Sequence, residues 1–170
     1  MEVWKAFEKN GITHSAAHHL MTIYDLLDKH GYARVTDVAR SLEITRGSAS
    51  ITLKALKEKG FVQEDENKFL RLSEEGERIS HSIQSIRRIF QKFLIDVLRV
   101  EPEQAEIDAC KIEHLLSRET GTKLLNFMSY LSSESNSVKK FLREYRDYED
   151  ECDASPDSCP ICDDECLRPD

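Results

Sequence analysis

A chain of 170 residues that is 39% hydrophobic and 33% charged has room for one or two small domains and composition for a helix-rich globular protein. No apolar run approaches the roughly 20 residues of a membrane span. "MEVWKAFEKNG" lacks the apolar core of a secretory signal. These features predict a cytoplasmic protein with no membrane partner, in which five cysteines are ligands, sensors or buried thiols rather than disulfides. The net charge of −8 is unevenly placed. Residues 1–60 hold nine Lys/Arg against seven Asp/Glu, residues 61–100 seven of each, and residues 101–170 eight against eighteen. A nucleic-acid-binding front and an acidic back are therefore compatible with the total.

In chain order, "VWKAFEK" at 3–9 predicts a short helix stopped by Asn10-Gly11. Thr13 or Ser15 can cap a second helix with the stripe Leu20, Ile23, Tyr24, Leu27, ending at His30-Gly31. Thr36 is expected to cap "DVARSLE", and Ile44-Thr45 to form a tight turn. A helix from Arg46 to Lys59 follows, with Ala49, Leu53 and Leu56 inward and Gly60 closing it. "FVQEDENKFLRL" reads as two short strands about the turn Asp65–Lys68. Two helices joined by a short turn and then a hairpin make a winged helix-turn-helix, expected over 1–72.

Ser73 caps a long helix to about Arg99, with Ile79, Ile83, Ile86, Phe90, Phe93, Leu94 and Val97 inward. Pro102 opens the next helix, Ser117 caps another, and the polar "SSESNS" precedes a last one. Residues 73–148 thus read as an all-helical second domain, so the expected fold class is mainly α. The acidic stretch 149–170 is too polar to build a core. Its Cys152, Cys159, Cys162 and Cys166 have a C-x6-C-x2-C-x3-C spacing that suits Zn2+ or an Fe–S cluster.

The second helix of a helix-turn-helix enters the major groove. With its core positions fixed, Arg46, Ser48, Ile51, Thr52 and Ala55 face outward. Arg46 can grip guanine or phosphate, Ser48 and Thr52 can hydrogen-bond, and Ile51 can pack on a thymine methyl. Lys54, Lys57 and Lys68 at the wing tip are phosphate candidates; solvation is the bland reading of each. In "CKIEHLLS", helical spacing puts Cys110, Glu113 and His114 on one face, a donor set suited to Fe, Zn, Co or Ni. No separate base or nucleophile accompanies them, which argues against an enzyme.

"GYARVTDVARSLEITRGSASITLKALKEKGFV", "LRLSEEGERI" and "DACKIEHLLS" together resemble the diphtheria-toxin-repressor (DtxR/MntR) family over about residues 13–145. The resemblance implies a metal-dependent repressor: a winged helix followed by a helical dimerisation domain, acting as a homodimer on a palindromic double-stranded DNA operator. The length implies the two-domain form without an SH3-like domain, and Thr36 joins the DNA-facing set. Cys110, Glu113 and His114 match the family's metal helix, and His18 and Met21 fall in ligand slots of the first helix. The long helix should supply a histidine where this chain has Arg87, which cannot ligate and either pairs with Glu113 or swings away. The remaining set favours Fe2+, with Zn2+, Co2+ or Ni2+ open and Mn2+ disfavoured. His14 and His19 read as surface or packing residues, with the alternative that one of them supports the ligands or joins a second metal site. The alternative is a regulator sensing redox or Fe–S/zinc status through the tail cysteines, with an Arg87 salt bridge in place of the ancestral metal.

Overall fold

Thr13 opens the first helix: its hydroxyl accepts a hydrogen bond from the Ala16 amide at 3.2 Å, satisfying a donor the helix itself leaves free. This is a computed structural model, and it describes residues 12–148; the expected helix over 3–9 and the four tail cysteines lie outside the described residues. Helix α1 spans His14–His30 and stops at Gly31, whose φ of 76° is a left-handed conformation that glycine adopts at little cost.

Helix α2 spans Val35–Ser41, so Thr36 lies inside its first turn and is not the cap. The helix starts earlier because the Arg34 amide donates to Asp37 Oδ2 at 3.1 Å. The carboxylate at the third helical position thereby does the work expected of a cap hydroxyl. The reversal after α2 also falls earlier than expected. Leu42 and Glu43 make it, with Glu43 at φ 54° and the Ile44 amide returning to the Ala39 carbonyl at 3.0 Å. Thr45 is then free to cap α3, Arg46–Glu58, through the Ser48 amide at 3.1 Å.

Strands β1 (Val62–Glu64) and β2 (Leu70–Leu72) pair antiparallel, Val62 opposite Leu72. Asp65 shapes the turn by accepting the amides of Asn67 and Phe69, both at 2.9 Å. The Leu70 amide donates to the Ala33 carbonyl at 2.8 Å and ties the wing to the segment before α2. One core joins these elements: Leu20 and Ile23 of α1, Val38 of α2, Leu53 and Leu56 of α3, and Val62 and Leu70 of the wing are all buried.

Ser73 caps α4, Glu74–Lys92, through the Gly76 amide at 3.1 Å. The stretch expected to continue as α-helix to Arg99 widens instead into a π-helical turn, Phe93–Val97, in which the Leu98 amide reaches Phe93 O at 3.2 Å. Helix α5 (Pro102–Ile112) has its proline at the first turn, and α6 (Arg118–Leu131) is capped by Ser117 through the Thr120 amide at 3.1 Å. Helix α4 packs against α1, α5 and α6. Helix α7, Asn136–Asp147, belongs to a separate compact unit and exposes Phe141 and Tyr145. No helix among the described residues is long and apolar enough to cross a membrane.

Gly76 sits against the Phe61 backbone so closely that an added Cβ would collide with the Phe61 carbonyl. Backbone cannot rotate away as a side chain can. Gly76→Ala should therefore lose about 1–3 kcal/mol of stability to overpacking, despite the roughly 1 kcal/mol of helix propensity that alanine gains. Urea denaturation of the two proteins measures the difference.

Candidate metal centre

The helical period of α1 puts His14 and His18 one turn apart on the same face. Cys110 comes from the last turn of α5; Glu113 and His114 lie just beyond Ile112, in the turn that leads to α6, rather than within the helix. The Cys110 Sγ is 3.3 Å from His18 Nε2, and His18 Nε2 is 3.9 Å from Glu113 Oε1. Donor atoms of His14, His18 and Cys110 all lie within 4.8 Å of one another. The His14 ring is 4.5 Å from that of His18 and 5.0 Å from that of His114, centre to centre.

Arg87 closes the far side from α4. Its guanidinium is 3.6 Å from Glu113 Oε2 and donates to Glu106 Oε1 at 3.1 Å. Glu106 was not singled out in the sequence; its place one helical turn before Cys110 was the available signal. Glu113 is 0% exposed, and neither of its oxygens has a hydrogen-bond partner. The buried Nδ1 of His114 is likewise unpartnered.

Burial pushes the Glu113 carboxyl up to about 7, against the opposing pull of Arg87. Burial lowers His18, with His14 and then Arg87 adding to the effect. Burial, then His14, lowers His114. Burial and then the Glu113 charge raise the Cys110 thiol, which Arg87 opposes. The imidazoles are thus held neutral, the form that ligates. Unpartnered buried oxygens and an unpartnered imidazole nitrogen beside a thiol are what a divalent cation would satisfy, so these residues fit a transition metal.

The other expected residues divide. Met21 packs with Ala17 and Ile83 in the apolar seam between α1 and α4 and borders a groove shared with His18 and Arg87. His19 donates from Nδ1 to the Ser15 carbonyl at 2.6 Å and is buried in the fold. On α3, Arg46, Ser48 and Lys54 are exposed, Thr52 is half-buried, and Ile51 is 75% exposed. The Ser48 hydroxyl shares a 2.9 Å hydrogen bond with Thr45, and Lys54 lies 3.9 Å from Glu58. Lys68, at φ 65° in the wing turn, pairs with Glu64 at 3.3 Å, and Thr36 is exposed on α2. Arg34 lies 4.4 Å over the Phe69 ring, adding a cation to the wing face that the sequence reading did not include.

Two family models cover most of the chain: "Iron dependent repressor, N-terminal DNA binding domain" matches residues 12–70, and "Iron dependent repressor, metal binding and dimerisation domain" matches 73–151. The chain belongs to the iron-dependent repressor family. Its members are metal-dependent transcriptional repressors, not enzymes. This repressor is 27% identical to the HTH-type transcriptional regulator MntR of Lysinibacillus sphaericus, over 75% of this chain and 91% of that one. It is 23% identical to the iron-dependent repressor IdeR of Mycobacterium leprae, over 71% of this chain but only 52% of that one. Among solved structures, the manganese regulator SloR superposes with a TM-score of 0.61 at 21% identity, over 68% of this chain and 54% of that one. The IdeR of T. acidophilum superposes with a TM-score of 0.56 at 23% identity, over 66% and 53%.

The raised Glu113 carboxyl gives a pH dependence with a definite sign. A carboxyl whose folded value, about 7, exceeds its unfolded one contributes stability that is complete below the unfolded value and lost as pH rises through 7. The metal-free repressor should lose stability relative to Glu113→Gln as pH rises from about 4.5 to about 7, read as the difference between their melting temperatures. Metal must displace the same proton, so Co2+ uptake by the native protein should strengthen over that interval and release protons into weakly buffered solution.

Proposed function

We propose that this chain is a cytoplasmic, metal-responsive repressor that binds a palindromic operator as a homodimer, with Fe2+ as its metal ahead of Zn2+, Co2+, Ni2+ or Mn2+. The observation that carries the reading is the 3.3 Å approach of Cys110 Sγ to His18 Nε2, which brings donors from α5 and α1 together. A bound ion would supply Lewis-acid bonds to His18, Cys110, Glu113 and His114. The thiol and imidazoles favour a borderline metal over the harder Mn2+.

Helix α1 transmits the effect. One face offers His18 to α5, and another buries Leu20 and Ile23 in the core that holds α3. Fixing α1 against α5 restricts where the recognition helix can sit. Two such helices in a dimer must be spaced near one turn of DNA, about 34 Å. Arg46, Ser48, Ile51 and Thr52 would read or grip the major groove, with Thr36, Lys54 and Lys68 on the flanking phosphates. An exposed Ile51 serves no purpose toward water, and a thymine methyl would bury it. We assign residues 1–72 to DNA binding, 73–148 to metal binding and dimerisation, and 149–170 to a tail whose cysteines can hold Zn2+ or an Fe–S cluster. The exposed Leu125, Phe127 and Tyr130 of α6 supply apolar area for a dimer contact.

Operators selected from random duplexes provide the test. Chelation of the protein, or His114→Ala, should weaken operator binding by about 10–100-fold, within the usual range of allosteric coupling. Unchanged operator affinity after both treatments would overturn the reading, and a visible cluster spectrum lost with the tail cysteines would favour sensing through the tail.

A further inference from the structure

We propose that His14 is a metal ligand of this chain, completing a four-donor centre with His18, Cys110 and Glu113. The inference rests on the metal-responsive reading above and revises its ligand set, placing His14 where that reading places His114. Arg87 approaches the centre from α4 but carries no lone pair, so α4 contributes charge and no ligand. The remaining donors must come from α1 and from the end of α5.

His14 and His18 form an i, i+4 histidine pair on one helix face, a spacing that brings two imidazoles to one ion without bending the backbone. Tetrahedral bonds of about 2.0–2.3 Å require donor-to-donor edges of about 3.3–3.8 Å. The edge from Cys110 Sγ to His18 Nε2 is 3.3 Å, within that range, and that from His18 Nε2 to Glu113 Oε1 is 3.9 Å, just beyond it. The His14 donor lies within 4.8 Å of both His18 and Cys110. His14 is exposed at the first residue of α1, so its ring can turn the remaining distance without disturbing a core.

His114 is the competing fourth donor; neither it nor Glu113 belongs to the group of mutually close donor atoms that contains His14, but Glu113 Oε1 lies 3.9 Å from His18 Nε2, whereas His114 meets His14 ring to ring. Its ring lies 5.0 Å from that of His14, where it can orient the ligand. Two imidazoles, one thiolate and one carboxylate make a compact tetrahedral set, which suits Zn2+, Co2+ or tetrahedral Fe2+ and discriminates against an ion that demands six oxygens.

Co2+ titration tests this in the full chain carrying Cys152→Ser, Cys159→Ser, Cys162→Ser and Cys166→Ser, in which Cys110 is the only remaining cysteine. That protein should show one thiolate-to-cobalt charge-transfer band and intense tetrahedral d–d bands. His14→Ala should raise the Co2+ dissociation constant by more than the roughly 10–100-fold cost of losing a group that only orients a ligand, and weaken the d–d bands. His14→Cys should restore affinity and strengthen the charge-transfer band through a second thiolate. His30→Ala, with the same melting temperature as the parent, should bind Co2+ unchanged. An unaltered dissociation constant and spectrum in His14→Ala would overturn the His14 assignment and leave the metal-responsive reading standing. Absence of Co2+ binding to the parent would overturn both.

Discussion

Burying a carboxylate without a hydrogen-bond donor is among the costlier things a fold can do, and Glu113 is held in that position with no exposed surface. Its neighbours define the surrounding architecture. His18 reaches it from α1, Arg87 from α4, and Cys110 stands one turn before it at the end of α5. Three helices therefore meet at one unsatisfied acid. A divalent ion there would replace an unfavourable buried proton or charge with direct bonds, and its occupancy would then be linked to helix geometry.

Helix α1 gives that linkage a direction. Thr13 fixes its start and Gly31 its end, and between them the helix serves two cores. Leu20 and Ile23 belong to the apolar cluster that holds α2, α3 and the wing, while Ala17 and Met21 pack on Ile83 of α4. On the proposed function, a rigid helix shared by the core that holds α3 and by the candidate metal centre would pass a small displacement from one to the other without a hinge. The π-helical turn Phe93–Val97 follows α4, where that helix gives way to α5. It adds a residue to the helical repeat and changes which side chains face inward, burying Leu94 and Val97 together.

Much of this was legible in the sequence because it depends on short-range chemistry. Hydroxyl caps at Thr13, Ser73 and Ser117, Pro102 in a first turn, and glycines at 31 and 60 act within four residues of themselves. The errors share a cause. The Thr36 hydroxyl predicts a cap at that position, whereas the Arg34 amide donates to Asp37 and the helix starts earlier. The early turn at Glu43 and the π turn arise where packing overrides local preference. His14 is exposed, as a surface histidine is expected to be; its closeness to Cys110 spans 96 positions of sequence, which no local spacing encodes. Glu106 was missed for a related reason: its partner Arg87 lies on another helix.

Arg87 decides between two accounts of the centre. A guanidinium that replaced the metal outright would meet Glu113 with paired, short, charge-assisted hydrogen bonds and would hold its carboxyl below the ordinary range. Here the nearest approach is 3.6 Å, no hydrogen bond forms, and burial outweighs the attraction, leaving the carboxyl at about 7. Arg87 spends its one hydrogen bond in this region on the exposed Glu106 instead. It therefore moderates the cost of Glu113 without cancelling it, and the unsatisfied remainder is what a metal ion bound to the imidazoles and thiol would relieve. The same cation would raise the electrostatic cost of bringing a second positive charge to the site.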